Sequence, residues 1–404
     1  METAAPQAEV VVVECDSPKA PVRTAVIGDA RTTLGDDAIT LDAAAFDDLP
    51  GWSSDRHADA LPAFVASCEA LDALPDDAPV GAAPYAGTAA DWRAVCAAAR
   101  AVPDGDHAAA RRLFETRFRA YATSGGDGHV GRVTGYYVAP LRASRTRRAP
   151  YVFPLYGRPA DLVSIQLDEL IPDGRSRRVW GRLDPDTGKV VRYGDRKQIR
   201  EQLTDDDVLL WVDDPFDAIH VEIEGSGRAR LDDGGEVWVG FAGKNGLRSG
   251  RNGAVMRAMK KLREAKNGAP WSERDLPAFY EIADAKLSIV FFELQQRGGA
   301  IGTQDVVLTP GRSVAVDRAV IPLSAPLWLD TTAPPAPGER HAPWQRLVVA
   351  QDTGGAILGS VRVDVYFGDD ADAGKIASRV NGPGRVWMLL PRELAAAAAT
   401  AKHD

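Results

Sequence analysis

The chain has 404 residues, 26% of them charged and 45% hydrophobic, with a formal net charge of -9. That length exceeds one ordinary core and predicts two domains, one inserted in the other. The acidic balance argues against nucleic acid or an anionic membrane surface as the main partner, and the absence of any run of 18 apolar residues excludes a membrane-spanning helix.

The N-terminus, METAAPQAEVVVVECDSPKA, has an apolar core of only Val10 to Val13 with acids on both sides, so it does not read as a secretory signal. Residues 58–72 place Leu61, Phe64, Val65, Cys68 and Leu71 on one helical stripe. A second helix is predicted from about Ala89 to Ala101, and a third from the N-cap candidate Asp106 through Leu113, Phe114 and Phe118. Cys68 and Cys96 fall on neighbouring helices, which leaves a disulfide and buried free thiols both open, and with them the redox compartment. The glycines Gly125, Gly126, Gly128 and Gly131 mark a boundary.

From Arg132 to about Gly250 the runs VTGYYVAPL, YVFPLY, KVVRY, VLLWV, AIHVEIEG and EVWVGFAG read as short strands between turns, and predict a small barrel. Asn252 to Ala265 reads as a basic helix whose Met256 and Met259 pack inward. A further helix is expected over Leu276 to about Gln296. Strands return in LTPGRSVAVDRAVIPLSAPLWLD, and a proline-rich loop and the segment RLVVAQDTGGAILGSVRVDVYFG follow. Its two β-branched runs read as paired strands across a turn containing Gly354 and Gly355. GRVWMLLPR supplies a last strand before an alanine-rich tail. The expected fold is mixed and mainly β with peripheral helices, organised as residues 1–130, 131–250 and 251–404.

Three aspartates, Asp317, Asp352 and Asp364, stand at strand ends or inside strands, where turn hydrogen bonding and chemistry are both possible readings. The six histidines show no HExxH or other paired spacing, so no metal is expected and no cofactor is implied. GSGR at 225–228 and AGKNG at 242–246 lack the Walker spacing, and Asn245 follows Lys244 where a phosphate loop needs Ser or Thr. Neither a GxSxG elbow nor a Cys and His pair is present. Carboxylate acid catalysis remains, and an aspartic acid serves it only when apolar surroundings or a like charge raise its pKa. Asp364, between Val363 and Val365, has that neighbourhood.

These segments resemble the membrane-bound lytic murein transglycosylase A family. The resemblance rests on LTPGRSVAVDRAVIPLSAPLWLDTT, RLVVAQDTGGAILGSVRVDVYFG and GRVWMLLPR, on TGYY at 134–137, WGRL at 180–183, YGDR at 193–196 and DPFDA at 214–218, and on GSGRARLDDGG at 225–235 and GFAGKNG at 240–246. DLPGWSSDRHADALPAFVASCEAL at 48–71 is similar to the family's opening helix. The family implies a double-psi β-barrel domain with an inserted smaller β-barrel, and a groove between them for a peptidoglycan strand. It implies cleavage of the β-1,4 bond between MurNAc and GlcNAc without water, giving 1,6-anhydromuramic ends, with Asp364 as acid and then base, Asp352 orienting it and Asp317 completing the network. A hydrolase using paired aspartates and a non-catalytic glycan-binding module are the alternatives.

By the same resemblance, Thr134, Tyr136, Gly225, Ser226, Gly227, Lys244, Asn245, Gly354 and Gly355 are expected at the substrate; for Trp180 and Trp238, stacking on sugar faces and filling the barrel are both open, and filling is favoured. A monomer in the periplasm, associated with the outer membrane, is implied. The chain departs from the family at Val138 after GYY, at Glu222 and Glu224 where the family has His and Gln, and in LRSGRNG after AGKNG.

Overall fold

The computed structural model describes residues 31–34, 37–82, 84–125, 128–167, 178–248, 250–332 and 342–394. Val10–Val13, Cys15, Gly126, residues 333–341 of the proline-rich loop and the tail from residue 395 lie outside the described residues. The chain opens with β1 (Arg31–Leu34) and β2 (Asp37–Ala44) and passes through helices Leu61–Asp72, Ala89–Arg100 and His107–Arg117. It then forms β3 (Phe118–Ser124) and β4 (Gly131–Tyr136). Nine strands follow: β5 (Ala139–Ser144), β6 (Phe153–Tyr156), β7 (Leu162–Gln166), β8 (Arg178–Leu183), β9 (Val190–Val191), β10 (Val208–Val212), β11 (Gly227–Leu231), β12 (Glu236–Lys244) and β13 (Val290–Gln295). The last five are β14 (Ser313–Val316), β15 (Pro326–Thr332), β16 (Pro343–Asp352), β17 (Arg362–Tyr366) and β18 (Asn381–Pro391).

The main sheet runs β1-β2-β3-β18-β15-β16-β14-β17-β4, and β18 also pairs with β4. Six strands, from β18 round to β4, therefore close on themselves. Two of the pairs are parallel, β14 with β16 and β17 with β4, as the double-psi barrel expectation requires. Alternate positions turn inward: Val133, Val314, Val316, Val348, Val363 and Val365 are buried in one core with Trp328, Met388 and the opening helices. Burying each such side chain stabilises the fold by about 1.5–3 kcal/mol. Residues one step along the same strands point outward, and these make the site.

The second barrel runs β13-β12-β11-β5-β10-β6 and is drawn nearly closed by a bridge between Gly157 and Phe292. Its core includes Val255 and Met259 of helix Asn252–Ala265 and Leu276 and Phe279 of helix Leu276–Ala283. The expected divisions at 131 and 250 are thus corrected by pairing and packing: β4 belongs to the main barrel, and residues 252–295 belong to the inserted one.

Four local expectations also change. AIHVEIEG is helical, in Pro215–Glu224, because Asp214 caps the amides of Phe216 and Asp217, Pro215 pre-sets the first turn, and Gly225 takes φ +83° to end it. Phe118 begins a strand rather than ending a helix, and Val290–Gln295 is a strand paired with β12 rather than the end of a helix. The runs on either side of Gly354 and Gly355 do not pair with each other, since β14 lies between them.

Two ties fasten the N-terminal helices to the main barrel and to each other. Arg312, at the start of β14, forks onto both carboxylate oxygens of buried Asp55 at 2.9 and 3.0 Å, and the Leu347 amide donates to the same carboxylate. Removing one partner of such a buried pair costs about 3–5 kcal/mol. Cys68 and Cys96 form a disulfide between the first two helices, 28 residues apart. A loop of that size contributes about 3–4 kcal/mol by restricting the unfolded chain. The double variant Cys68→Ser/Cys96→Ser should therefore lose about that much in urea unfolding, and dithiothreitol should lower the wild-type midpoint without lowering the variant's.

Candidate active site

The main barrel sets four outward positions in one row. Ala315 on β14 pairs with Asp352 on one side and with Asp364 on the other, and Asp364 pairs with Thr134 on β4. Neighbouring strands lie about 4.8 Å apart, so the two aspartates stand roughly 10 Å apart at Cα with only a methyl group between them. The approach of β4 to the loop before β17 is close: a Cβ on Gly131 would lie 1.8 Å from the Val361 carbonyl oxygen. A side chain there would pry the row open.

The two carboxylates differ in what engages them. Asp364 accepts one hydrogen bond, from the Thr134 hydroxyl to Oδ1 at 2.6 Å, and its Oδ2 is engaged by no described residue. Burial pushes the Asp364 carboxyl above the usual range; Thr134 and Arg362 act against that push, and Glu224 and Asp352 add to it. Asp352 is also pushed up by burial, yet its oxygens are occupied. The Thr303 amide and hydroxyl and the Thr353 amide donate to Oδ1 at 2.8–2.9 Å, and the Tyr136 hydroxyl donates to Oδ2 at 2.8 Å. Asp317 is turned to the backbone instead. It accepts from the amides of Ala319 at 3.0 Å and Gly359 at 2.8 Å, so it ties the turn after β14 to the loop entering β17.

The inserted barrel faces this row. Glu224 ends the helix Pro215–Glu224 and pairs with His220 at 3.1 Å, and the His220 ring contacts Tyr137, whose hydroxyl is 3.4 Å from Nδ1. Lys244, at the end of β12, reaches across: its Nζ would be 3.7 Å from a Cβ on Gly355. Burial lowers the pKa of that amine. A wall of Tyr136, Val138, Ala300, Leu308, Tyr366 and Trp238 joins the two barrels beside the acids.

The remaining expected residues divide. Gly354 and Gly355 form the turn beneath Lys244. Gly225 ends the helix, the Ser226 carbonyl accepts from the Ala139 amide, and Gly227 is required by packing, since a Cβ there would sit 2.8 Å from Val221. Asn245 is buried and fully engaged: it donates to the Gly194 and Leu287 carbonyls and accepts from the amides of Ile289 and Leu247. Its amide is a brace for the Lys244 loop. Trp180, on β8 of a separate three-stranded sheet β7-β8-β9, packs edge-on to Phe241, and Trp238 packs in the inter-barrel wall; neither lies in the core of the inserted barrel, which corrects the expected barrel filling.

Thr303, Ala315, Glu224 and His220 were not picked out as site residues. Thr303 lies 49 residues from its partner Asp352, and no local pattern announces the pair. Glu224 stood only as a departure from a family motif. A separate cavity of about 580 Å³, lined by Asp55, Arg312 and Arg346 among others, opens at the opposite end of β16 and shares no residue with the aspartate row.

Comparison with known proteins covers both barrels. Residues 132–293 match the MltA specific insert domain, and residues 312–390 match the 3D domain. Membrane-bound lytic murein transglycosylase A of Escherichia coli K12 is 29% identical over 288 residues, spanning 69% of this chain and 71% of that protein. The lytic transglycosylase LtgG of Burkholderia pseudomallei is 33% identical, with a TM-score of 0.55 over 87% of this chain and 95% of that one. The membrane-bound lytic murein transglycosylase of Agrobacterium tumefaciens superposes with a TM-score of 0.71 at 25% identity, over 89% of this chain and 99% of that one. With both domain types present in order around one aspartate row, this chain belongs to the MltA family of lytic murein transglycosylases.

Proposed function

We propose that the protein is a peptidoglycan lytic transglycosylase that cleaves the β-1,4 bond between MurNAc and GlcNAc, with Asp364 as the single acid and base. The observation that carries this reading is the contrast between the carboxylates: Asp364 is half-buried, its carboxyl is pushed up by desolvation and its Oδ2 has no partner among the described residues, while both oxygens of Asp352 are already engaged. The relatives' names supply the substrate, and the inserted barrel facing the aspartate row supports a groove in which a glycan strand crosses the row.

The reaction needs one group to move two protons in turn. Asp364 gives its proton to the leaving oxygen as the bond from C1 to O4 breaks. The resulting carboxylate takes the proton of the muramoyl C6 hydroxyl as O6 bonds to C1, which closes the 1,6-anhydro ring and restores the acid. No water is consumed. A hydroxyl held on the same sugar competes with solvent at an effective concentration on the order of 10⁵ M or more. Asp352, held by four donors, is a like charge that opposes the ionisation of Asp364. Asp317 acts at a remove, by pinning the loop that leads into β17.

A hydrolase would need a second carboxylate free to attack or to activate water. The donors on Asp352 count against that role. In this reading Thr134, Tyr136, Lys244 and the turn Gly354–Gly355 line the groove, Gly225–Gly227 shape its far wall, and Asn245 supports Lys244. Murein as substrate implies the periplasm, with outer-membrane association, and the Cys68–Cys96 disulfide accords with an oxidising compartment.

Digestion of purified murein should release anhydro-muropeptides; products about 18 mass units heavier, carrying one water, would identify a hydrolase. Asp364→Asn should lower product release at least ~10³-fold while leaving the unfolding midpoint in place. In ¹³C-carboxyl titrations, Thr134→Val should move the Asp364 pKa up, because a hydrogen bond favouring the charged form is lost. Glu224→Gln should move it down, because a like charge is removed.

A further inference from the structure

The row that holds Asp364 continues outward along the same two strands. β4 and β17 run parallel, and two residues before the pair Thr134 and Asp364 stands the pair Arg132 and Arg362. With a period of two, both arginines point to the same side as Thr134 and Asp364. Their Cα atoms precede those of the acid pair by about 7 Å along the strands. Two guanidinium groups are thus rooted side by side on adjacent strands, about 4.8 Å apart at the backbone.

That arrangement is unfavourable unless something negative sits with it. No carboxylate within salt-bridge distance does so among the described residues. Arg132 donates from Nε to the Asn381 side-chain oxygen at 2.9 Å, and Arg362 donates from Nη1 to the carbonyls of Val363 at 2.7 Å and Arg132 at 3.4 Å. Arg132 is exposed and Arg362 half-buried, so both are open to a ligand. The acid that follows the neighbouring strand, Asp317, spends both oxygens on backbone amides. Asp330, the nearest acid of β15 to the barrel seam at β18, is paired with Arg385. Among the described residues the two adjacent cations have no carboxylate at salt-bridge distance; Asp364 acts on Arg362 electrostatically and leaves both guanidinium groups without an ion-pair partner.

We propose that Arg132 and Arg362 form a carboxylate subsite that binds the acidic substituent of the glycan next to the scissile bond. This rests on the lytic reading of the groove and names the part of the substrate it selects: an acidic muramoyl unit rather than a neutral N-acetylglucosamine polymer. Guanidinium forks match the planar carboxylate and can grip it through two parallel hydrogen bonds. The carboxylate comes either from the lactyl ether of the sugar or from its stem peptide, and the two sources share this chemistry.

The test measures equilibrium binding, by calorimetry, to the full chain carrying Asp364→Asn, so that neither turnover nor the charge of Asp364 intervenes. Three glycans serve as probes: murein fragments bearing stem peptides, fragments stripped of peptide so that the lactyl carboxylate is free, and the stripped fragments with their carboxylates converted to amides. Arg132→Gln or Arg362→Gln added to this background should weaken binding of at least one carboxylate-bearing probe about tenfold, or about 1.4 kcal/mol. The amidated probe should bind as before, and Arg362→Lys should recover part of the loss. The probe that loses affinity identifies the source of the carboxylate. Equal losses on all three probes, or none on any, would overturn the subsite. Product release by the wild-type chain is read separately: no release from murein with the binding preference intact would refute the lytic reading alone.

Discussion

The parallel pairing of β4 with β17 is the contact on which the rest depends. β4 is the last strand of the main barrel before the chain departs for more than 150 residues, and β17 carries Asp364. Their ladder, together with that of β4 and β18, closes the barrel, sets Thr134 against Asp364, and fixes where the inserted barrel is rooted. The insert therefore hangs directly beside the acid. Gly131 permits this approach because no side chain fits against the Val361 carbonyl.

Hydrogen bonding then distinguishes two chemically identical side chains. Both Asp352 and Asp364 are partly desolvated, which disfavours charge on either. Asp352 receives four donors and becomes part of the scaffold. Asp364 receives one, and faces Glu224 from the insert. Desolvation thus pushes both carboxyls up while hydrogen bonds occupy both oxygens of Asp352 alone, the contrast on which the proposed single-acid mechanism draws.

Asp364 could be read from sequence because its determinants are local: alternation in VRVDVYFG puts the acid between inward valines. The same alternation misleads at AIHVEIEG, where a period of two imitates a strand and only Asp214, Pro215 and Gly225 reveal a capped helix. The runs around Gly354 and Gly355 look like a hairpin, yet β14, distant in sequence, inserts between them. Thr303, Ala315 and Glu224 reach the aspartates only through barrel closure. What depends on strand order could not be read from spacing, and the two arginines beside the acid pair become meaningful only once β4 and β17 are known to be in register.

The central claim is that one aspartic acid, its pKa raised by desolvation, serves both halves of the reaction. The pH dependence of kcat/KM on soluble murein glycan tests it most directly. The account predicts a rate that is level at low pH and falls through one ionisation lying above the ordinary aspartate value, as Asp364 loses its proton in the free enzyme. A rate that instead climbs as pH rises through the carboxylate range, as a second, ionised aspartate would require, would contradict it.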